Sequence, residues 1–152
     1  MKKIYVAASF AYEDKDKTNQ RKNEIEEVVR QIQSIVGEEV NWYLPHQLKI
    51  ENAWDISLEE WSQKVFEHDL QALLEADLVI FISYGKENNA GAVWEVGYAT
   101  AKGIKTIVVK MTKEVESLMI TQSVHSIITK EEIINYDWVN LPKYKTKLEK
   151  LS

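Results

Sequence analysis

One apolar run, Leu78-Val79-Ile80-Phe81-Ile82, constrains the fold more than any other feature of the sequence. A strand that is apolar at every position is typical of the middle of a parallel sheet, where helices cover both faces. We therefore predict a central strand within Asp77–Ser83. Two further short runs, Lys3–Ala8 and Lys105–Lys110, predict strands of the same kind.

Segments with a helical spacing of apolar residues alternate with these runs. Asn19–Val36 has this spacing, and Gly37 is placed to end the helix as a C-terminal cap. Ser57 followed by Glu60 is the pattern of an N-cap with a capping box, and it predicts a helix that continues to about Glu75. The other predicted elements are a strand at Val40–Leu44, an irregular loop at Gln47–Asp55, a helix ending near Lys102, a short helix near Val115–Thr121, a strand near Val124–Thr129 and a closing helix from Pro142.

Strands that alternate with helices predict an α/β fold. We expect a three-layer, doubly wound sandwich of the flavodoxin-like or Rossmann-like type, with a mostly parallel five-stranded sheet. A length of 152 residues suits one domain, so residues 1–152 are treated as a single unit. Ligands of such folds bind beyond the carboxyl ends of the strands. A ligand site is therefore expected among the residues after Ala7, Leu44, Ser83 and Lys110.

Charge and composition argue against several classes of partner. The chain has 19 Lys and Arg against 24 Asp and Glu, a formal net charge of −5, whereas proteins that bind nucleic-acid backbones normally have a basic excess. No stretch reaches the roughly 20 apolar residues of a membrane helix. Cysteine is absent, which suits the reducing cytosol. We expect a cytoplasmic protein that binds neither nucleic acid nor membrane.

The segment Ala90–Ala101 contains one charged residue, Glu95, in an otherwise apolar or small helical sequence. A carboxylate is seldom buried without a partner. The amide dipoles near the helix start would favour its ionised form, and Gly91 would let another group approach the backbone closely. Such a carboxylate could be a nucleophile towards a sugar carbon, or a structural acid bonded to a tyrosine or to backbone amides. The residues alone support the two interpretations equally.

Asp69 is the second candidate acid, because it lies among apolar helix positions near Leu70 and Leu73. Its spacing by itself favours an ordinary exposed acid. Other signals are weak: the three histidines do not form a pair with metal-ligand spacing, and the sequence has no glycine-rich phosphate loop.

Several motifs, in order along nearly the whole chain, resemble those of the nucleoside 2-deoxyribosyltransferases. The most specific is Gly91–Ala99, which contains Glu95 and follows a buried strand. The others are Ile4–Phe10, His68–Leu70, Ala76-Asp77, Leu118–His125, Asn135–Asp137 and Leu141-Pro142.

The resemblance implies an exchange of the base of a 2′-deoxynucleoside through a covalent deoxyribosyl-enzyme ester, with no metal or organic cofactor. Glu95 is similar in position to the nucleophile of the family, which attacks C1′ as in a retaining glycosidase. Asp69 matches an acid that assists at the base, and Tyr5 a residue that holds the nucleophile. The resemblance also places a set of residues in the substrate pocket: Ser9, Phe10, Gln47, Asn89, Gly91, Ser117 and Met119. The expected partners are deoxynucleosides and free nucleobases.

Two positions depart from the transferase pattern. Asn89 stands where the transferases commonly carry an aspartate, and an amide cannot exchange a proton as a carboxyl group does. Ser117 stands where they commonly carry an asparagine that contacts the sugar. Ser9 and Ser117 would suit the related 2′-deoxynucleoside 5′-monophosphate N-hydrolases, although Ala11 stands where that branch offers an arginine.

Three functions therefore remain open. The first is a deoxyribosyltransferase of nucleoside salvage, and the second is an N-glycoside hydrolase that acts on a nucleoside monophosphate. The third is a non-catalytic nucleotide-binding protein, which the amide at Asn89 would suit. The family is typically oligomeric with sites completed by a neighbouring subunit, so we expect a homo-oligomer in which Ser117 could serve the adjacent site.

Overall fold

A computed structural model of the chain describes residues 2–142. In this range the strands are β1 Lys3–Ala8, β2 Asn41–Tyr43, β3 Leu78–Ser83, β4 Lys105–Lys110 and β5 Ser126–Thr129. The α-helices are α1 Lys15–Val36, α2 Leu58–Glu75, α3 Ala90–Ala101 and α4 Leu118–Ser123, and 3₁₀ helices occur at Pro45–Gln47 and Lys130–Asn135. The strands form one sheet in the order β2-β1-β3-β4-β5. All neighbouring strands are parallel, which confirms the predicted doubly wound α/β fold.

The apolar run forms β3, whose six residues are all buried between β1 and β4. Alternate residues of β3 belong to different layers, because successive side chains of a strand point to opposite faces. Ile80 and Ile82 pack in one apolar cluster with α1, whereas Val79 and Phe81 pack in the other with α2, α3 and α4. The central strand is thus covered on both faces, as its composition predicts.

Capping residues decide where the helices begin. Asp14 accepts hydrogen bonds from the backbone N–H groups of Asp16 and Lys17, so α1 begins four residues before the predicted Asn19. Ser57 accepts from the N–H of Glu60, which confirms the predicted N-cap of α2. The short helix α4 begins at Leu118, later than predicted, because the side chain of Ser117 caps it. The predicted closing helix from Pro142 lies outside the described residues. Within residues 2–142, no helix is long and apolar enough to cross a membrane.

The connections of the sheet reverse direction at β1. The chain passes from β1 through α1, on one face, to the edge strand β2. It then returns through α2, on the opposite face, to β3 on the other side of β1. The segments after β1, β2 and β3 therefore border a crevice at a topological switch point, where ligands of such sheets bind.

Candidate active site

Glu95 occupies the second turn of α3, at the carboxyl edge of the sheet. Its side chain is partly buried, and the hydroxyl of Tyr5 donates a hydrogen bond to its Oε2. Tyr5 is a fully buried residue of β1, so the sheet itself holds one oxygen of Glu95 in place. A Cβ added at Gly91, one turn earlier, would meet no heavy atom within 4 Å, so the wall before Glu95 is open.

Burial raises the pKa of Glu95 to about 8. The sequence predicts that the amide dipoles of the helix start favour the ionised carboxylate. The loss of hydration has the larger effect, since burial disfavours the charged form of an acid. At neutral pH the carboxyl group of the free protein is mostly protonated.

Asp69, on α2, faces the same crevice. The hydroxyl of Tyr43 donates a hydrogen bond to its Oδ1 over 2.7 Å. Burial raises the pKa of Asp69, and the hydrogen bond from Tyr43 opposes that rise. The structure thus places Asp69 in a partly buried position with a specific partner, and not on a fully exposed surface.

The two acids are linked through a stacked pair of tyrosines. Tyr5 and Tyr43 are directly paired in the parallel register of β1 and β2. Their ring centroids are 5.3 Å apart with an interplanar angle of 16°. Each ring therefore supports its neighbour while its hydroxyl binds one acid. No sequence motif marks Tyr43; its place beside Tyr5 in the register of β1 and β2 is the signal that could have revealed it.

A cleft of about 390 Å³ contains both acids. Its lining comes from the segment after β1, the segment after β2, the helix α2, and the start of α3 with the residues just before it. The residues are Ala8, Ser9, Phe10, Ala11, Pro45, His46, Leu48, Trp61, Val65, Asp69, Asn88, Gly91, Ala92 and Glu95. Among the predicted site residues, Ser9, Phe10, Asp69, Gly91 and Glu95 lie together on this surface.

Four predicted pocket residues lie elsewhere. Gln47 donates a hydrogen bond to Glu26 and lines a separate depression. The amide of Asn89 bonds the Gly85 carbonyl over 2.8 Å. Ser117 caps α4, and the side chain of Met119 is 77% exposed. The chain on its own does not bring these four to the cleft.

Two neighbouring residues line the cleft instead. Asn88 has a left-handed backbone, with φ 47°, and its amide donates to the carbonyl of Ala11 over 2.7 Å. This bond joins the loops that follow β1 and β3. His46 lies on the opposite side, in the 3₁₀ helix after β2. Asn88 precedes the predicted Asn89, and His46 precedes the predicted Gln47. The motifs therefore mark the right loops, and the turn geometry places the preceding side chain at the cleft.

Within residues 2–142, no three His, Asp or Glu side chains come together as a metal site would require. A larger cavity, of about 770 Å³, is lined by residues such as Ile35, Asp77 and Trp138, near the amino-terminal ends of β3 and β4. It contains neither of the two cleft acids.

The family model described as nucleoside 2-deoxyribosyltransferase matches residues 4–129, from β1 to the end of β5. The chain belongs to the nucleoside 2-deoxyribosyltransferase family. It is therefore a member of a group of enzymes that cleave N-glycosidic bonds and pass the glycosyl group to another acceptor or to water. Among curated proteins, none matches it significantly.

Solved structures agree with this membership. A 2-deoxyribosyltransferase from Bacillus psychrosaccharolyticus is 27% identical, with a TM-score of 0.72, over 93% of this chain and 97% of that one. A CMP N-glycosidase from Clostridium botulinum is 25% identical, with a TM-score of 0.55, over 88% of this chain and 95% of that one. A conserved protein from Enterococcus faecalis, 18% identical over 89% of this chain and 96% of that one, shares the fold with a TM-score of 0.63.

Proposed function

We propose that the protein exchanges the base of a 2′-deoxynucleoside through a covalent ester on Glu95. The observation that carries this proposal is the position of the Glu95 carboxyl group, largely desolvated on the wall of a cleft and held by the buried Tyr5. Tyr5 bonds Oε2, which leaves Oε1 for the attack on C1′. The cleft lies at the topological switch point of the sheet, where ligands of doubly wound α/β folds bind.

The reaction has two displacement steps. In the first, a Glu95 oxygen bonds to C1′ while the C1′–N bond breaks, and the leaving base takes the bonding electrons. Asp69, which lines the same cleft and whose pKa is raised by burial, supplies a proton to that base. In the second, a nitrogen of the incoming base bonds to C1′, the ester C1′–O bond breaks, and the proton of that nitrogen returns to Asp69. Two inversions retain the configuration at C1′.

The raised pKa of Glu95 has a chemical consequence. The nucleophile is the carboxylate, and with a pKa of about 8 roughly one molecule in ten carries it at pH 7. A desolvated carboxylate is nevertheless well suited to the reaction. Positive charge develops on the sugar in the transition state, and a nearby anion in a water-poor site stabilises that charge. The loss of hydration therefore lowers the fraction of molecules in which Glu95 is ionised. It also increases the stabilisation that each ionised carboxylate gives to the transition state.

A second candidate is hydrolysis of a nucleoside monophosphate, in which water replaces the incoming base. The similarity to a CMP N-glycosidase at 25% identity favours it. So do Ser9 and Asn88, two neutral hydrogen-bonding residues of the cleft that could bind a 5′-phosphate. Both candidate reactions use Glu95 and differ in what accepts the sugar.

Liquid chromatography distinguishes the candidates. We expect deoxycytidine with adenine to yield deoxyadenosine and cytosine, and an intact-mass measurement after incubation with the donor alone to show one added deoxyribosyl group on Glu95. Release of base from dGMP or CMP, without exchange, would instead establish the hydrolase. If the wild type shows neither exchange nor release, and its chromatograms are the same as those of Glu95→Ala, the result would favour a binding protein. Glu38→Gln, a change of an exposed acid in the turn after α1, is the control.

We further propose that the active form is a homo-oligomer in a cytoplasmic salvage reaction. Phe66 and Trp94 are about half exposed, at 51% and 49%, and they form an edge-to-face pair on the surface of α2 and α3. A cavity between these helices reaches Asp69 and Glu95. A second copy on this face would cover the aromatic pair, and the exposed Met119 would be available to a neighbouring cleft.

A further inference from the structure

We propose that His46 recognises the exocyclic amino group of the base, so that adenine and cytosine are preferred to bases with an oxo group at the same position. The inference rests on the proposed function, because it concerns the base that enters or leaves the cleft. No motif points to His46; its role is inferred from its contacts.

The His46 side chain is fixed from two sides. Its Nε2 lies 2.9 Å from Oε1 of Glu26, on α1, and the side chain is 4% exposed. The ring of Phe10 meets it edge-to-face, with centroids 5.3 Å apart. Phe10, His46 and Glu95 line the same cleft. The imidazole is therefore a rigid part of the wall and not a mobile surface group.

The partner of Nε2 determines what the other ring nitrogen can do. The hydrogen bond with His46 holds the pKa of Glu26 below its usual range, so the Glu26 carboxyl group is an acceptor at neutral pH. In the neutral imidazole, Nε2 then carries the hydrogen that is donated to Glu26, and Nδ1 carries a lone pair. Nδ1 has no partner among residues 2–142, so it is available to accept a hydrogen bond from a bound molecule.

The topology indicates which end of the cleft receives the base. The segment after the edge strand β2 contributes Pro45, His46 and Leu48, and α2 adds Trp61 and Val65. These side chains form the apolar end of the cleft, where the faces of a flat base would be buried. The opposite end, after β3, is bordered by the amide of Asn88 and suits the polar side of the sugar.

An acceptor at the base end distinguishes amino from oxo groups. Adenine and cytosine carry an exocyclic amino group that donates, whereas hypoxanthine and uracil carry an oxygen that only accepts. The amino group projects beyond the ring and can donate to Nδ1. An oxo group in that place would bring two acceptors together and leave both without a hydrogen.

The test compares adenine with hypoxanthine, and cytosine with uracil, as acceptors of deoxyribose from thymidine at pH 8. We expect the wild type to favour the amino base by about 10-fold in kcat/KM, the effect of one hydrogen bond. His46→Phe keeps a ring against Phe10 and should bring this ratio close to one. Glu26→Gln, which leaves the imidazole in place, should give an intermediate ratio. Glu27→Gln, a change of the exposed neighbour on α1, should leave the ratio unchanged.

Two results would overturn the inference. One is a wild-type ratio near one. The other is a ratio that His46→Phe leaves unchanged; if Gln47→Ala abolishes that ratio, base recognition belongs to Gln47. If the wild type shows no turnover with any base, the proposed function fails separately. Calorimetric binding of free adenine and hypoxanthine then decides the role of His46: tighter adenine binding that disappears in His46→Phe supports it, and equal binding refutes it.

Discussion

The desolvated carboxyl group of Glu95 should lower the stability of the protein. Its pKa is about 8 in the folded chain and close to the ordinary 4.5 in the unfolded chain. Between these values the native state retains a proton that the unfolded state has lost, so the free energy of unfolding falls as pH rises. Glu95→Gln removes the titration and preserves the shape and an acceptor for Tyr5. We therefore expect this variant to be inactive and more stable than the wild type.

The size of the effect follows from the pKa difference. Each pH unit within this window changes the free energy of unfolding by about 1.4 kcal/mol. The gain of Glu95→Gln should therefore be close to zero at pH 4.5 and on the order of 3 kcal/mol at pH 7. For a chain of this length, that gain corresponds to an increase in Tm of about 10 °C.

Urea unfolding followed by tryptophan fluorescence at pH 5, 6, 7 and 8 measures the difference directly. Glu38→Gln, a change of an exposed acid, should show no such increase with pH. The desolvation argument would be refuted if the difference in free energy of unfolding between Glu95→Gln and the wild type did not change with pH, or became smaller between pH 5 and pH 8. Retained turnover in the variant would refute the assignment of Glu95 as the nucleophile.

Three further predictions concern Asp69, the tyrosine that binds Glu95, and the aromatic surface of α2 and α3. Asp69→Asn should lower kcat by about 10²–10⁴-fold, the usual contribution of a general acid. Tyr43→Phe should lower kcat less, because this change removes only the hydrogen bond that positions Asp69. Tyr5→Phe should shift the acidic limb of the kcat/KM profile upwards from about 8, since the carboxylate of Glu95 loses a donor that stabilises it. Trp94→Glu should reduce the molar mass by light scattering, and activity with it, because a charge on the aromatic surface opposes association.

Each of these predictions has an opposite outcome. Unchanged kcat in Asp69→Asn would return that residue to a structural role. A pH profile of Tyr5→Phe identical to that of the wild type would mean that its hydroxyl does not affect the ionisation of Glu95. A wild type that is a stable, active monomer would contradict the proposed assembly, and Glu67→Gln on the exposed side of α2 is the control for Trp94→Glu.

The parts of the fold that were predictable are those whose residues report their own environment. The continuous apolar run of β3 can be stable only under two helical layers, and a lone acid in the apolar sequence of α3 marks the centre of the cleft. The side chains at turns were less predictable. Asn88 rather than Asn89 reaches the cleft because its backbone is left-handed, and a single such dihedral changes the direction of the next side chain. A composition pattern carries no information about that angle.

The loop after β2 shows the same limitation. The resemblance points to Gln47. Both Gln47 and His46 bond Glu26, but Gln47 lines a separate depression, whereas His46 lines the cleft. Successive residues of a tight helix differ by about 120° in direction, so a shift of one residue moves a side chain from one surface to another. The hydrogen bonds from Glu26, on the distant helix α1, hold both side chains in these positions, and the local sequence does not report them.

The stacked tyrosines divide the cleft into parts that can change at different rates during evolution. Tyr5 and Tyr43 belong to neighbouring strands, whose spacing is set by backbone pairing, and they hold the two acids. The surfaces that would meet the base belong to the segments after β1 and β2, which tolerate substitution more readily than strands do. Relatives could therefore acquire new substrates by altering these segments while the distance between their acids stays constant.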